Sequence, residues 1–134
     1  MNPTHPTTCP CCSGKPYIGC CAPLINGNKR ALTPEALLRS RYTAYTQANI
    51  DYIEKTMRGS AAKTFDKQEA EAWARSLQWE KLEVIDAPAV KPGKTRGLVK
   101  FTAHYKTKNN PQTLEETSEF RLKKGRWYYT NSKD

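Results

Sequence analysis

Hydrophobic positions change their spacing near residue 79, dividing the 134-residue chain into a helical half and a strand half. Thr33-Pro34-Glu35 opens the longest helical pattern. Thr33 suits an N-cap, Pro34 the first helical position and Glu35 the positive end of the helix dipole. Leu37, Leu38, Arg41, Tyr42 and Tyr45 follow on one face. A shorter helix after Asn49 carries Ile50, Ile53 and Met57. Asp66-Lys67-Gln68-Glu69 has the form of a capping box and starts a third helix, with Ala70, Trp73, Ala74 and Leu77 on one side.

Beyond Trp79 the period is two. Leu82 and Val84 alternate with Lys81 and Glu83; Val99, Phe101, Ala103 and Tyr105 alternate with Lys100, Thr102, His104 and Lys106. Phe120 and Leu122 alternate with Glu119, Arg121 and Lys123, and Lys124-Gly125 turns the chain into Arg126-Trp127-Tyr128-Tyr129. The connectors Ala87–Gly97 and Thr107–Thr113 are too short for crossover helices, so neighbouring strands run antiparallel. Residues 22–33 contain Asn26-Gly27 and no apolar period, and read as a turn and linker. Three helices followed by a meander of about four strands imply an α+β fold with helices packed on one sheet face.

Composition adds a folded, basic chain with 22 Lys and Arg against 13 Asp and Glu, a formal charge of +9. No apolar run approaches the roughly 20 residues of a membrane-spanning helix. Met1-Asn2-Pro3-Thr4-His5-Pro6 has no positive flank leading into an apolar core, so the expected location is the reducing cytoplasm.

All five cysteines lie between Cys9 and Cys21. Five is odd and two pairs are adjacent, which argues against a disulfide framework and for a local metal site. Cys9, Cys11, Cys20 and Cys21 give a C-x-C-x8-C-C spacing that can close a tetrahedral Zn2+ shell. Cys12 in place of Cys11 forms a rival shell, and either choice leaves one spare thiol. His5 is an alternative ligand, though a terminal histidine outside the site is the simpler reading. Four protein ligands leave no open position for substrate, so the zinc is expected to be structural.

Cys9, Cys11, Ser13, Gly14, Tyr17, Cys20 and Cys21 match C-x-C-x-S-G-x-x-Y-x-x-C-[CH], so the segment resembles the SEC-C zinc motif of the SecA tail. Cys12 departs from it, standing where the motif usually has Gly. Adding Pro23-Leu24, the run Leu37-Leu38-Arg39-Ser40-Arg41-Tyr42-Thr43-Ala44-Tyr45, Trp79, Leu82-Glu83-Val84 and Gly125-Arg126-Trp127-Tyr128-Tyr129, nearly the whole chain is similar to the bacterial YchJ family. That resemblance implies a SEC-C zinc-binding motif over residues 1–22. It also implies a nuclear-transport-factor-2-like cone over 23–134, a curved sheet wrapped around the long first helix. A SEC-C knuckle further implies a protein partner of chaperone-like or ribosomal type.

The remaining candidates are weaker in sequence. Arg41, Tyr42, Tyr45, Trp79 and Tyr105 would line a small-molecule or catalytic pocket in a cone, although an internal salt bridge from Arg41 to Glu83 or Asp51 is the favoured account of the arginine. Glu115, Glu116, Glu119 and His104 read as solvated groups, so no acid–base pair argues for an enzyme. Residues 87–134 carry 11 basic and 4 acidic side chains. Lys91, Lys94, Arg96, Lys100, Lys106 and Lys108 make up a basic surface whose leading reading is a solvated face that protects solubility, with weak RNA or ribosome contact as the alternative. Trp127, Tyr128 and Tyr129 fall on both faces of the last strand, which leaves one needing cover from a partner or a second subunit. The overall expectation is a non-enzymatic zinc-binding adaptor.

Overall fold

The computed structural model describes residues 8–133. His5 lies outside the described residues. Thr8 bridges Pro16 to close a small loop, followed by a 3-10 turn at Tyr17–Gly19 and the helices α1 (Ala22–Ile25), α2 (Pro34–Thr46), α3 (Ile50–Lys55), α4 (Gly59–Lys63) and α5 (Lys67–Ser76). The strands β1 (Gln78–Asp86), β2 (Arg96–Thr107), β3 (Asn110–Lys123) and β4 (Arg126–Ser132) form one antiparallel sheet in the order β1-β2-β3-β4. No described helix is long and apolar enough to cross a membrane.

The three expected helices correspond to α2, α3 and α5, and each starts where its cap lies. Thr33 Oγ1 accepts from the Ala36 amide at 3.0 Å, Asn49 Oδ1 from Tyr52 at 3.2 Å and Asp66 Oδ1 from Glu69 at 3.0 Å. Two short helices were not expected. α1 falls inside the stretch read as linker, and α4 is a single turn that leads from α3 toward α5. Neither has a side-chain cap or enough length to show an apolar period.

The sheet also differs at one connector. Thr107–Thr113 is not a loop: Lys108 and Asn109 alone make the turn, both with positive φ (49° and 69°), and pairing resumes at Thr107↔Asn110. Irregular register between Trp79 and Lys81, between Val84 and Asp86, and between Glu119 and Phe120 bends the strands. α2 lies across the inner face, where Leu37, Leu38 and Tyr42 join Leu82, Val99, Phe101, Ala103, Phe120 and Trp127 in the main core. A second cluster, Ala44, Ile50, Tyr52, Ile53, Met57 and Ala74, ties α2 to α3 and α5.

Each outer strand is met at one point by another part of the chain. Tyr129 donates its amide to Thr56 O at 2.8 Å and accepts from the Arg58 amide at 3.0 Å, so the chain between α3 and α4 lies along β4. On the other side the Leu82 amide of β1 donates to Cys12 Sγ at 3.4 Å.

Candidate metal centre and cone cavity

The Thr8–Pro16 bridge and the Cys9 amide bond to Lys15 O (2.9 Å) fold residues 9–15 back on themselves. The 3-10 turn then returns Cys20 and Cys21 to the same point. The sulfurs of Cys9, Cys11, Cys20 and Cys21 all lie within 4.8 Å of one another. Cys11 and Cys20 are 3.6 Å apart, Cys20 and Cys21 3.9 Å. A tetrahedron with Zn–S bonds of about 2.3 Å has sulfurs about 3.8 Å apart. The donor set therefore fits a tetrahedral thiolate ion. Cys9, Cys11 and Cys21 are buried and Cys20 is half-buried.

Without a cation these thiols compete for one negative charge. Hydrogen bonding from the Cys21 thiol holds Cys11 down at about 4, despite burial. The same contact, with burial, pushes Cys21 far up, and burial raises Cys20. A divalent cation is what would let all four ionise together.

Cys12 stands apart. Its φ is 66°, and its Sγ lies 3.5 Å from Pro10 O and 3.4 Å from the Leu82 amide, outside the four-sulfur cluster. The cluster is seated on α2. Thr43 Oγ1 is 3.7 Å from Cys9 Sγ, Arg39 Nη1 donates to Cys11 O at 2.7 Å, and Gln47 Nε2 donates to Tyr17 Oη at 3.0 Å. Ser13 Oγ lies 3.2 Å from Cys20 Sγ. These contacts orient the cysteines from outside, in the way supporting groups do around metal ligands.

The second feature is a cavity of about 200 Å³ between α2 and the sheet. Arg41, Tyr42, Tyr45 and Trp79, four of the five candidate pocket residues, line it. Tyr105 packs on Trp79 with ring centroids 5.8 Å apart but does not line the cavity. Trp73 and Tyr129 complete the aromatic wall, and Glu116 and Ser118 supply polar groups.

Arg41 makes none of the suggested salt bridges. Asp51 pairs with Lys67, and Glu83 pairs with His104 at 2.5 Å. Arg41 Nη1 instead donates to Ile53 O (2.9 Å) and Thr56 Oγ1 (2.6 Å), and the guanidinium lies 4.7 Å from the Tyr129 ring centre. Desolvation lowers its pKa, with the Tyr45 and Tyr129 hydroxyls and Glu116 opposing. Two acids read as solvated are also engaged by neighbouring side chains. Glu116 Oε2 accepts from Ser118 Oγ (2.6 Å) and Tyr129 Oη (3.0 Å). Glu119 is buried, pairing with Arg96 at 2.5 Å and Arg121 at 3.5 Å. Glu116 shares the parity of Phe120 and Leu122, so the alternation already placed it inward.

Of the expected basic surface, Arg96 is engaged by Glu119 and Lys106 by Glu80 at 3.4 Å. Lys91, Lys94, Lys100 and Lys108 are exposed with no recorded ion pair among the described residues. Tyr128, on the outer face of β4, is covered by the Arg58 guanidinium 4.2 Å from its ring centre.

A bent four-stranded sheet wrapped on α2, preceded by a four-cysteine knuckle, defines the class: an α+β nuclear-transport-factor-2-like domain carrying a SEC-C motif. The family described as "YchJ, middle NTF2-like domain" matches residues 33–132. The chain belongs to the YchJ family. A UPF0225 protein of Geobacter sulfurreducens is 43% identical over 123 residues, spanning 92% of this chain and 76% of that protein. A SEC-C motif containing protein from Rhodopseudomonas palustris, solved in solution, superposes with a TM-score of 0.85 at 36% identity, covering 94% of this chain and 97% of that one. The crystal structure of one from Psychrobacter arcticus gives 0.81 at 30% identity, covering 93% and 81%.

Proposed function

We propose that the chain is a zinc-binding protein-interaction module without catalytic activity, in which Cys9, Cys11, Cys20 and Cys21 hold a structural Zn2+. The observation that carries this reading is the approach of those four sulfurs to within 4.8 Å of one another. Four thiolates complete a tetrahedral shell, so the ion fixes the knuckle and leaves no position for a reacting molecule. Residues 1–22 then serve as the knuckle and 23–134 as its platform in the cytoplasm. The knuckle is the docking element of this reading, and its outer turn presents Ile18, 80% exposed, to a partner.

The experiment is metal analysis with thiol counting on the native protein. One zinc per chain and one reactive thiol support the reading; five reactive thiols and no metal would overturn the zinc claim. A partner captured through Ile18 should be lost after Ile18→Asp and after zinc removal. A partner retained in both would show that docking runs through the cone or through a homodimer of its sheet.

A second reading is favoured by Arg41, which is 6% exposed and lines the cone cavity without a carboxylate salt bridge. A small ligand bound there would engage Arg41 and Glu116 between aromatic walls. The RNA reading has less support, since two of its six basic residues are engaged by acids.

A further inference from the structure

A third concavity, distinct from the zinc knuckle and the cone cavity, lies where the end of α3 meets the start of β4. It has a volume of about 280 Å³. Lys29, Arg30, Lys55, Arg58 and Arg126 line it, and no Asp or Glu does. These five come from three separate stretches of chain, so the fold, not a sequence run, assembles the charge.

None of the five appears in a recorded ion pair among the described residues. Some cations elsewhere are neutralised, as where Arg96 and Arg121 share Glu119 and Lys67 lies between Asp51 and Glu54. Lys91, Lys94, Lys100 and Lys108 also lack a recorded ion pair among the described residues, but they do not line a hollow with four other cations. Five like charges around one hollow repel one another unless an anion enters.

Two of the arginines are already held in place. Arg30 Nη1 donates to Gly125 O at 3.1 Å, and a Cβ at position 125 would sit 2.7 Å from that nitrogen, so the glycine makes room for the guanidinium. Arg58 Nη1 donates to Met57 O (2.7 Å) and Lys55 O (3.3 Å), and its plane rests on Tyr128. Each arginine is tethered through Nη1. Among the described residues, neither forms a hydrogen bond through Nε or Nη2. A tethered guanidinium loses less freedom on binding, and its remaining donors match phosphate oxygens.

We propose that this hollow binds a small ligand carrying a diphosphate or longer polyphosphate group. Multiple charge on the ligand follows from the number of cations, since a monoanion would leave most of their repulsion in place. A compact ligand follows from the concave shape. An extended nucleic-acid strand instead needs an open groove with aromatic platforms repeated along it.

The test is calorimetric titration of inorganic pyrophosphate into the zinc-loaded full chain at about 0.05 M and about 0.2 M salt, with inorganic phosphate as the reference. The expected result is one pyrophosphate per chain, bound at least about tenfold more tightly than phosphate and weakened by the higher salt. Arg30→Gln with Arg58→Gln should weaken binding about tenfold or more, while Lys91→Gln with Lys94→Gln should leave it unchanged. If the arginine variant fails to fold, Lys29→Gln with Lys55→Gln provides the same reading, because both side chains are exposed and lack recorded partners. Melting temperature and zinc content establish that each variant is intact. Absence of binding at low salt, equal loss in the Lys91/Lys94 control, or a short single-stranded RNA that binds and is not displaced by pyrophosphate would overturn the proposal.

Discussion

Arg39 donates from Nη1 to the carbonyl of Cys11 at 2.7 Å while its Nε engages Glu35 at 2.9 Å, so one side chain of α2 clamps the cysteine loop. Position 39 is a fifth exposed at its side chain, and the carbonyl it holds belongs to a residue of the sulfur cluster. Arg39→Ala should therefore weaken zinc binding by about tenfold or more, as loss of a supporting group around a metal does. The cone core does not use Arg39, so far-ultraviolet circular dichroism of the variant should match wild type. Competition with a zinc chelator measures the first effect. Unchanged zinc affinity would mean that the cluster holds its shape without α2.

Cys12 takes φ = 66° without being glycine, in a region that costs an ordinary residue roughly 1–2 kcal/mol. What it returns is a weak sulfur acceptor for the Leu82 amide. Cys12→Gly should thus stabilise the protein, by about 1 kcal/mol once that contact is lost. It should also remove the one thiol that reacts in the metal-loaded state, with zinc stoichiometry unchanged. Thermal melting and thiol titration check the two halves separately. Loss of zinc in this variant would place Cys12 in the coordination shell.

Local chemistry explains why some elements could be read from sequence and others could not. Thr33, Asn49 and Asp66 announce their helices because a cap acts on amides two or three residues away. Strand alternation from Val99 to Tyr105 reports a one-sided sheet directly. The start of β3 was hidden by Pro111, which usually argues against a central strand. β4 pairs with β3 only as far back as Ser118↔Ser132, so at Pro111 the strand lacks its second neighbour and the missing amide donor costs nothing. The four-cysteine cluster was legible because its members lie within 13 residues. The partners of Arg41 were not, since Tyr129 reaches it only through the closure of the sheet. The five-cation hollow escaped for the same reason.

Gly97 sets the distance between β2 and the start of α2. A Cβ there would lie 2.5 Å from Pro34 Cγ and 3.2 Å from Val90 Cγ2. Pro34 is a ring at the first turn of α2 and cannot swing aside, so the helix or the strand must shift. Gly97→Ala should destabilise by about 1–3 kcal/mol, the usual cost of forcing extra volume into a packed contact. Denaturant unfolding checks it. A neutral result would show that the α2 end and the 87–95 loop move freely over β2.

Glu119 gives the fold a pH dependence whose sign follows from its partners. Its hydrogen bond from Arg96, with Arg121 nearby, holds the carboxyl below the ordinary glutamate range even though burial opposes this. A carboxyl whose pKa is lowered by folding contributes stability above its unfolded pKa of about 4.3, and that contribution fades as pH falls through the folded value. Glu119→Gln should cost about 1–2 kcal/mol at neutral pH, because it removes a charge-assisted pair only part of which is exposed. The difference in melting temperature between wild type and Glu119→Gln should narrow as pH drops below about 4. Comparing the two proteins at each pH cancels the separate effect of acid on the cysteine cluster. A difference that stays constant down to pH 3 would mean that Glu119 acts through packing and its Thr130 contact, not through its charge.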